Sequence, residues 1–213
     1  MSGIFLSVEG GEGVGKSLFC KKLVEVLGAR VGEIISTREP GGTGVAKAIR
    51  EIFLNPIDDE VITPVAEMLL VSAARSQHVE HLIRPALDRG CWVVCDRFYD
   101  STRVYQGRVV AQNNQILESV IGLSVAGVHP DITFLLDCDT EVVMERLRGR
   151  SQNDDPDRFD SAGESFHSML RASFLEVAKT NRERFSVLDA TRGADNIVEQ
   201  AVTTLVDRGL ISF

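Results

Sequence analysis

Positive charge is in short supply in this chain. Its 213 residues carry 23 Lys and Arg against 31 Asp and Glu, a net of −8. A field of that sign does not draw nucleic acid or an anionic membrane to the surface as a whole, so neither is expected as a partner. An anionic ligand has to be met by a local cluster of cations. Long apolar runs are missing too, since none approaches the ~20 residues that cross a bilayer. The opening MSGIFLSVEGG has no basic stretch and too short an apolar one for a secretory leader, so a cytoplasmic location is expected. Cysteine is sparse. Cys20, Cys91, Cys95 and Cys138 stand at no zinc-ligand spacing and read as reduced, mostly buried thiols. There is no internal repeat, low-complexity tract or visible domain boundary. Hydrophobic residues at 44% and charged residues at 25% exclude global disorder and a disulfide scaffold, and the length suits one domain over 1–213.

Short apolar runs alternate with helical patterns. Strands are expected over residues 4–8, 33–37, 91–95, 132–138 and 185–188. Phe19, Leu23 and Leu27 stack at i, i+4 in a helix opening at Lys16, and a second helix is expected over 43–54. Pro64 opens a long helix that carries Val79, Leu82, Ile83, Ala86 and Leu87 and ends at Gly90. Further helices are expected over 113–126 and 141–148, around Leu170, Phe174 and Val177, and around Ile197, Ala201 and Leu205. The polar run SQNDDPD at 151–157 reads as a mobile lid. Such alternation predicts an α/β fold, a parallel sheet of about five strands covered by helices on both faces.

The sharpest motif is Gly10-Gly11-Glu12-Gly13-Val14-Gly15-Lys16-Ser17, a strand before it and a helix after. Glycines let backbone N–H groups converge on a phosphate, and the helix N-terminus adds its dipole. Lys16 is suited to the β- and γ-phosphates and the Ser17 hydroxyl to Mg²⁺. This makes the chain an ATP- or GTP-binding protein, and leaves kinase, GTPase, motor and transporter ATPase to be separated. No Asn-Lys-x-Asp appears, so guanine lacks its usual reader, and the chain is short for a motor.

Asp96 closes the apolar run CWVVC, where α/β sheets place ligands, and is positioned to hold Mg²⁺ or its waters. Arg97 follows it into the same crevice, unless the pair is only a surface turn. Arg38 stands in a second turn at a strand end and offers a fork to a second phosphate, with a solvated loop capped by Thr43 as the plain alternative. Arg146, Arg148, Arg150 and Arg158 bracket the lid. Some of these serve as a solvated face, but an arginine closing over a transferring phosphoryl group stabilises its charge strongly.

Taken together, FLSVEGGEGVGKS at 5–17, TREPGGT at 37–43, AEMLLVSAARSQHVEHLIRPAL at 66–87, DRFYDSTRVYQG at 96–107, HPDITFLLD at 129–137, DRFD at 157–160 and DAT at 189–191 resemble the bacterial thymidylate kinases, P-loop nucleoside monophosphate kinases. The likeness runs in order along nearly the whole chain. It implies the P-loop three-layer sandwich with a short lid at about 149–160. It also implies transfer of the γ-phosphate of ATP to dTMP with Mg²⁺, in dTTP synthesis, by a homodimer. Residues 10–17 with Leu18 and Arg146 would serve ATP. Ser17 and Asp96 would serve the metal, and Lys16, Asp96, Arg97 and Arg150 the transfer. Glu12 would lie near the deoxyribose 3′-hydroxyl, Arg38 and Arg97 on the dTMP phosphate, and Arg75 and Thr102 at the thymine edge. Tyr105 would press on the sugar and disfavour a 2′-hydroxyl. Gln106 completes the match without an assigned role. No arginine follows Glu12 in the loop, which resembles the subtype whose lid supplies the catalytic arginine: Arg150, with Arg146 and Arg158 in support.

Two positions depart from that pattern. Val71 stands where an aromatic ring, usually Phe, stacks on thymine, and it shares a helix face with Arg75. Val104 replaces a usual Ala beside Tyr105. The other readings kept open are a monophosphate kinase of different base choice and a nucleotide-binding regulator without turnover. His78 and His81, three apart on a helix without a third ligand, read as surface histidines. Cys91 and Cys95 read as packing on one side of a strand, and Trp92 as core.

Overall fold

Glycine turns and proline breaks cut the chain into short segments, and the apolar ones pair into a single sheet. The computed structural model describes residues 3–55, 57, 60–107, 114–149, 159 and 162–212. Its strands are β1 (Phe5–Glu9), β2 (Ile34–Arg38), β3 (Trp92–Asp96), β4 (Ile132–Asp137) and β5 (Phe185–Asp189). They lie in the order β2-β3-β1-β4-β5, and every neighbouring pair is parallel. The register sets both Val8 and Arg38 beside Asp96, so three strands end together at the edge where ligands meet an open α/β sheet.

The helices are α1 (Lys16–Gly28), α2 (Gly44–Leu54), α3 (Pro64–His78), α4 (Arg84–Asp88), α5 (Tyr99–Tyr105), α6 (Asn114–Val125), α7 (Thr140–Arg148), α8 (Glu164–Thr180) and α9 (Ala194–Asp207). Alternation along the strands decides which face each side chain joins. Leu6, Val8, Val94, Ile132, Phe134 and Leu136 pack with Phe19, Leu23 and Leu27 of α1 and Ile197, Ala201 and Leu205 of α9. Phe5, Val93 and Cys95 turn to the opposite face, against Met68 of α3 and Leu117 and Ile121 of α6. Leu135 meets Leu170 and Phe174 of α8. Each of the buried Val, Leu, Ile, Met and Phe side chains among these contributes roughly 1.5–3 kcal/mol by leaving water. All four cysteines are free and buried, and Trp92 is core.

Helix starts follow local chemistry. Thr43 Oγ1 accepts from the Ala46 N–H at 3.2 Å to cap α2, and Thr63 does the same for Ala66 at 3.4 Å ahead of Pro64. Two features depart from the sequence reading. The helix expected to run from Pro64 to Gly90 is three pieces, with a π-helical segment at Val79–Ile83 between α3 and α4. Pro85 has no N–H for the His81 carbonyl and crowds it, and a widened turn upstream absorbs the mismatch. The seven-residue α5 was not foreseen at all, because about two turns are too short for a periodic signal.

Candidate active site

The loop between β1 and α1 delivers the phosphate-binding motif to the sheet edge. Gly15 sits at the N-cap of α1 with φ 93°, a left-handed conformation that costs a side-chain-bearing residue free energy. No acidic residue occupies the first turn of α1, so the positive end of its dipole faces the loop unopposed. The Lys16 ammonium donates to the Gly10 carbonyl at 3.1 Å and the Gly11 carbonyl at 2.5 Å. Burial, with Arg97 nearby, pushes its pKa down to about 8. Ser17 Oγ donates to Asp96 Oδ2 at 2.9 Å, joining the loop to the end of β3. Leu18 is half exposed, and neither of the two cavities that flank Glu12 includes it in its lining.

The larger of those cavities opens at the ends of β2 and β3. Glu12, Arg38, Val71, Arg75, Asp96, Arg97, Thr102, Tyr105 and Gln106 all line it. Arg97 is its fixed point. It takes φ 69°, one of two non-glycine residues with positive φ among the described residues. Its guanidinium donates to the Gly10 carbonyl at 3.0 Å, Ser101 Oγ at 3.2 Å and Glu12 Oε1 at 2.9 Å, and lies 5.2 Å from the Tyr105 ring centroid. Tyr105 also donates to Glu12 Oε1, at 2.5 Å. Burial alone would raise the Glu12 pKa, but Arg97 and Lys16 overcome it and hold the carboxyl ionised below its ordinary range.

Arg75, 2% exposed, donates through Nε to Glu39 Oε2 at 2.8 Å and through Nη2 to Thr102 Oγ1 at 2.9 Å. Its Nη1 has no hydrogen-bond partner among the described residues. Val71 stands one turn earlier on α3 in the same cavity wall, with Phe53 of α2 among its lining neighbours. His78 corrects the sequence reading. It is fully buried, pairing Nδ1 with Glu39 Oε1 at 3.1 Å and Nε2 with Thr37 Oγ1 at 2.8 Å, while His81 is exposed. A Cβ on Gly42 (φ 83°) would run into the His78 ring.

Several residues in or behind the cavity walls had been given no role. Glu39, after the cis peptide to Pro40, is buried between Arg75 and His78. Glu9 is wholly buried. It accepts from the Phe98 N–H at 2.8 Å, the Ser101 N–H at 3.2 Å and the Ser101 hydroxyl at 2.6 Å. Burial and the nearby Asp100 push its pKa up to about 7. The one sequence signal for Glu9 was a carboxylate closing an apolar strand. His167 on α8 and Phe159 also reach the site's walls; Phe159 stood in the DRFD run without a role, and His167 carried no signal. Asp100, fully buried, is paired with Arg103 at 2.9 Å and Arg184 at 2.8 Å, which ties α5 to the start of β5.

A family model described as thymidylate kinase matches residues 8–201. The chain belongs to the thymidylate kinase family. It is 41% identical over 206 residues to the thymidylate kinase of Chromohalobacter salexigens, covering 97% of this chain and 96% of that one. Against the thymidylate kinase of Caulobacter vibrioides it is 41% identical over 206 residues, covering 97% of each. Against that of an Exiguobacterium species it is 39% identical over 208 residues, covering 98% and 96%. The five-stranded parallel sheet wrapped in helices is the fold expected of a thymidylate kinase. Arg146 donates to the Ala190 carbonyl at 2.9 Å, within the DAT run that forms part of the thymidylate kinase resemblance. Arg150 and Arg158 lie outside the described residues, as does the expected lid except Gly149 and Phe159. No described helix is long and apolar enough to cross a membrane.

Proposed function

We propose that this chain transfers the γ-phosphate of ATP to dTMP, giving dTDP and ADP, as one kinase domain with a lid at about 149–160. The observation that carries the reading is a convergence: the phosphate loop after β1, Arg38 ending β2, and Asp96 and Arg97 at the end of β3 meet at one edge of the sheet. A dTMP phosphate oxygen is a competent nucleophile near neutral pH, so no strong base is needed. It forms a bond to the γ-phosphorus as the bond from that phosphorus to the β–γ bridging oxygen breaks, and ADP leaves. The protein's task is to bring two polyanions together and offset their repulsion.

In this reading, residues 10–17 wrap the ATP phosphates, with Leu18 and Arg146 on the nucleotide side. Lys16 exchanges its contacts with the loop carbonyls for phosphate oxygens. Arg38 and Arg97 hold the dTMP phosphate, and Arg97 arrives already anchored. The unpartnered Nη1 of Arg75, with Thr102, meets the thymine edge, and Val71 gives the ring an apolar contact without stacking. Glu12 and Tyr105 border the sugar, Gln106 closes the wall, and Arg150 with Arg158 completes the charge from the lid. The oxygens of Ser17 and Asp96 are the hard donors Mg²⁺ prefers, and two are enough because that ion keeps waters and phosphate oxygens for its other positions. Mg²⁺, when bound, neutralises charge building on the β- and γ-phosphate oxygens. A cytoplasmic homodimer completes the proposal.

The test is ADP release with ATP, Mg²⁺ and dTMP, dUMP, UMP, dCMP, AMP or GMP offered separately. Fast turnover with dTMP, weak turnover with dUMP and none with the rest is expected, and Lys16→Ala should lower kcat by about 10²–10³-fold. Preference for another monophosphate would overturn the substrate. ATP binding without turnover on any of them would favour a regulator.

A further inference from the structure

Two buried polar groups face each other across the wall behind Glu12. Glu12 is 4% exposed, and its Oε1 already takes Arg97 and Tyr105. Its Oε2 has no hydrogen-bond partner among the described residues. His167, on the first turn of α8, is equally buried at 4%, and both its ring nitrogens lack one as well. Nδ1 of His167 lies 3.9 Å from that free Oε2. A buried acceptor without a donor and a buried donor without an acceptor each carry a desolvation cost, and pairing them removes both. Closing the gap by about 1 Å makes an ordinary hydrogen bond.

We propose that His167 is a positioning residue for the monophosphate acceptor: its Nδ1–H donates to Glu12 Oε2 and fixes the carboxylate against Arg97 and Tyr105. The proposal rests on reading the cavity as the dTMP site. A carboxylate tied through one oxygen turns about its terminal bond and takes the Tyr105 hydroxyl with it, while Arg97 stays on the Gly10 carbonyl and Ser101 Oγ. Tied through both oxygens, its plane is set. Glu12 lines both the cavity shared with Arg75 and Tyr105 and the narrower one shared with His167 and Phe174, so its second oxygen is reached from α8 and its first from the acceptor side. His167 also meets the Phe166 ring edge-on at 5.6 Å between centroids, which steadies the imidazole from its own helix.

His167→Phe keeps the ring's bulk and removes its donor, whereas His167→Asn keeps an N–H near the place of Nδ1. The full-length enzyme should show KM for dTMP raised about tenfold in the Phe variant, with kcat and KM for ATP within about twofold of wild type. The Asn variant should recover most of the loss. An unchanged KM for dTMP in folded His167→Phe overturns the proposal. A loss that Asn does not recover also overturns it, because that result assigns His167 to packing. A third measurement needs no variant: long-range ¹H–¹⁵N correlation of the wild-type imidazoles should show His167 as the Nδ1–H tautomer, and the Nε2–H tautomer sinks the idea. If wild type itself turns over a different monophosphate, the substrate reading has failed, and the His167 comparison is made with that monophosphate.

Discussion

Burying a carboxylate beside another carboxylate is unfavourable unless donors surround it, and Glu9 has them. Its three contacts run to the backbone and side chain of the turn that follows Arg97. That turn holds Arg97 in a left-handed backbone that costs roughly 1–2 kcal/mol. Because burial and Asp100 push the Glu9 pKa up to about 7, the native protein keeps this proton where the unfolded chain, near 4.5, has released it. The linkage therefore lowers stability as pH rises through that window, by about 3 kcal/mol in all. Glu9→Gln is uncharged throughout and keeps an acceptor for the two N–H groups. Its stability should change less between pH 4.5 and 7 than that of wild type, as measured by urea unfolding across that range. Equal slopes for the two proteins would refute the assignment. Glu9 was hidden in the sequence because its worth depends on Phe98 and Ser101, some ninety positions away. His78 was misread for the same reason. Its partners Thr37 and Glu39 come from another strand end, and no helical spacing reveals them.

At the scale of elements, strands were readable because each is a short apolar run closed by glycine, proline or aspartate. All five begin one residue later, or end one residue later or earlier, than the run itself suggests. The phosphate loop was readable because its chemistry is local. The turn after β2 was readable as a motif but not as a mechanism. It packs Gly42 against His78, which holds Glu39, which in turn holds Arg75 in the cavity wall. Gly42→Ala should break that chain at its first link. It imposes a strained φ and a contact with the imidazole, costing roughly 1–3 kcal/mol, and it should raise KM for dTMP more than KM for ATP. Thermal unfolding together with steady-state kinetics in both substrates checks it; a variant with wild-type Tm would show that the turn absorbs the methyl group. Helix α5 and the split of the long helix were not legible, one for want of length and the other because a single proline does not say how far upstream the backbone widens.

For the whole molecule, apolar side chains remain in water on three neighbouring helices. Val45 and Ile52 on α2, Val65 and Leu69 on α3, and Ile116 and Leu123 on α6 are all more than 40% exposed. Such a set accords with the proposed homodimer, since apolar area spread over adjacent helices is what a second copy would cover. Sedimentation should give twice the chain mass for wild type and the single mass for Leu69→Glu. A wild-type monomer at micromolar concentration would remove the dimer from the reading. Composition had no means of locating this face, because an exposed leucine and a buried one are spelled alike.

The strand order has its own consequence. The phosphate loop leaves β1, the centre of the sheet, and Asp96 and Arg97 end β3 beside it, so most of the site stands on strands paired on both sides, while Arg38 comes from the edge strand β2. Amide hydrogens of Leu6, Val8 and Val94 should then be among the slowest to exchange with deuterium, opening only when the chain opens as a whole. A catalyst founded there does not wear out by local fraying; on heating, it keeps its seat until the sheet itself gives way.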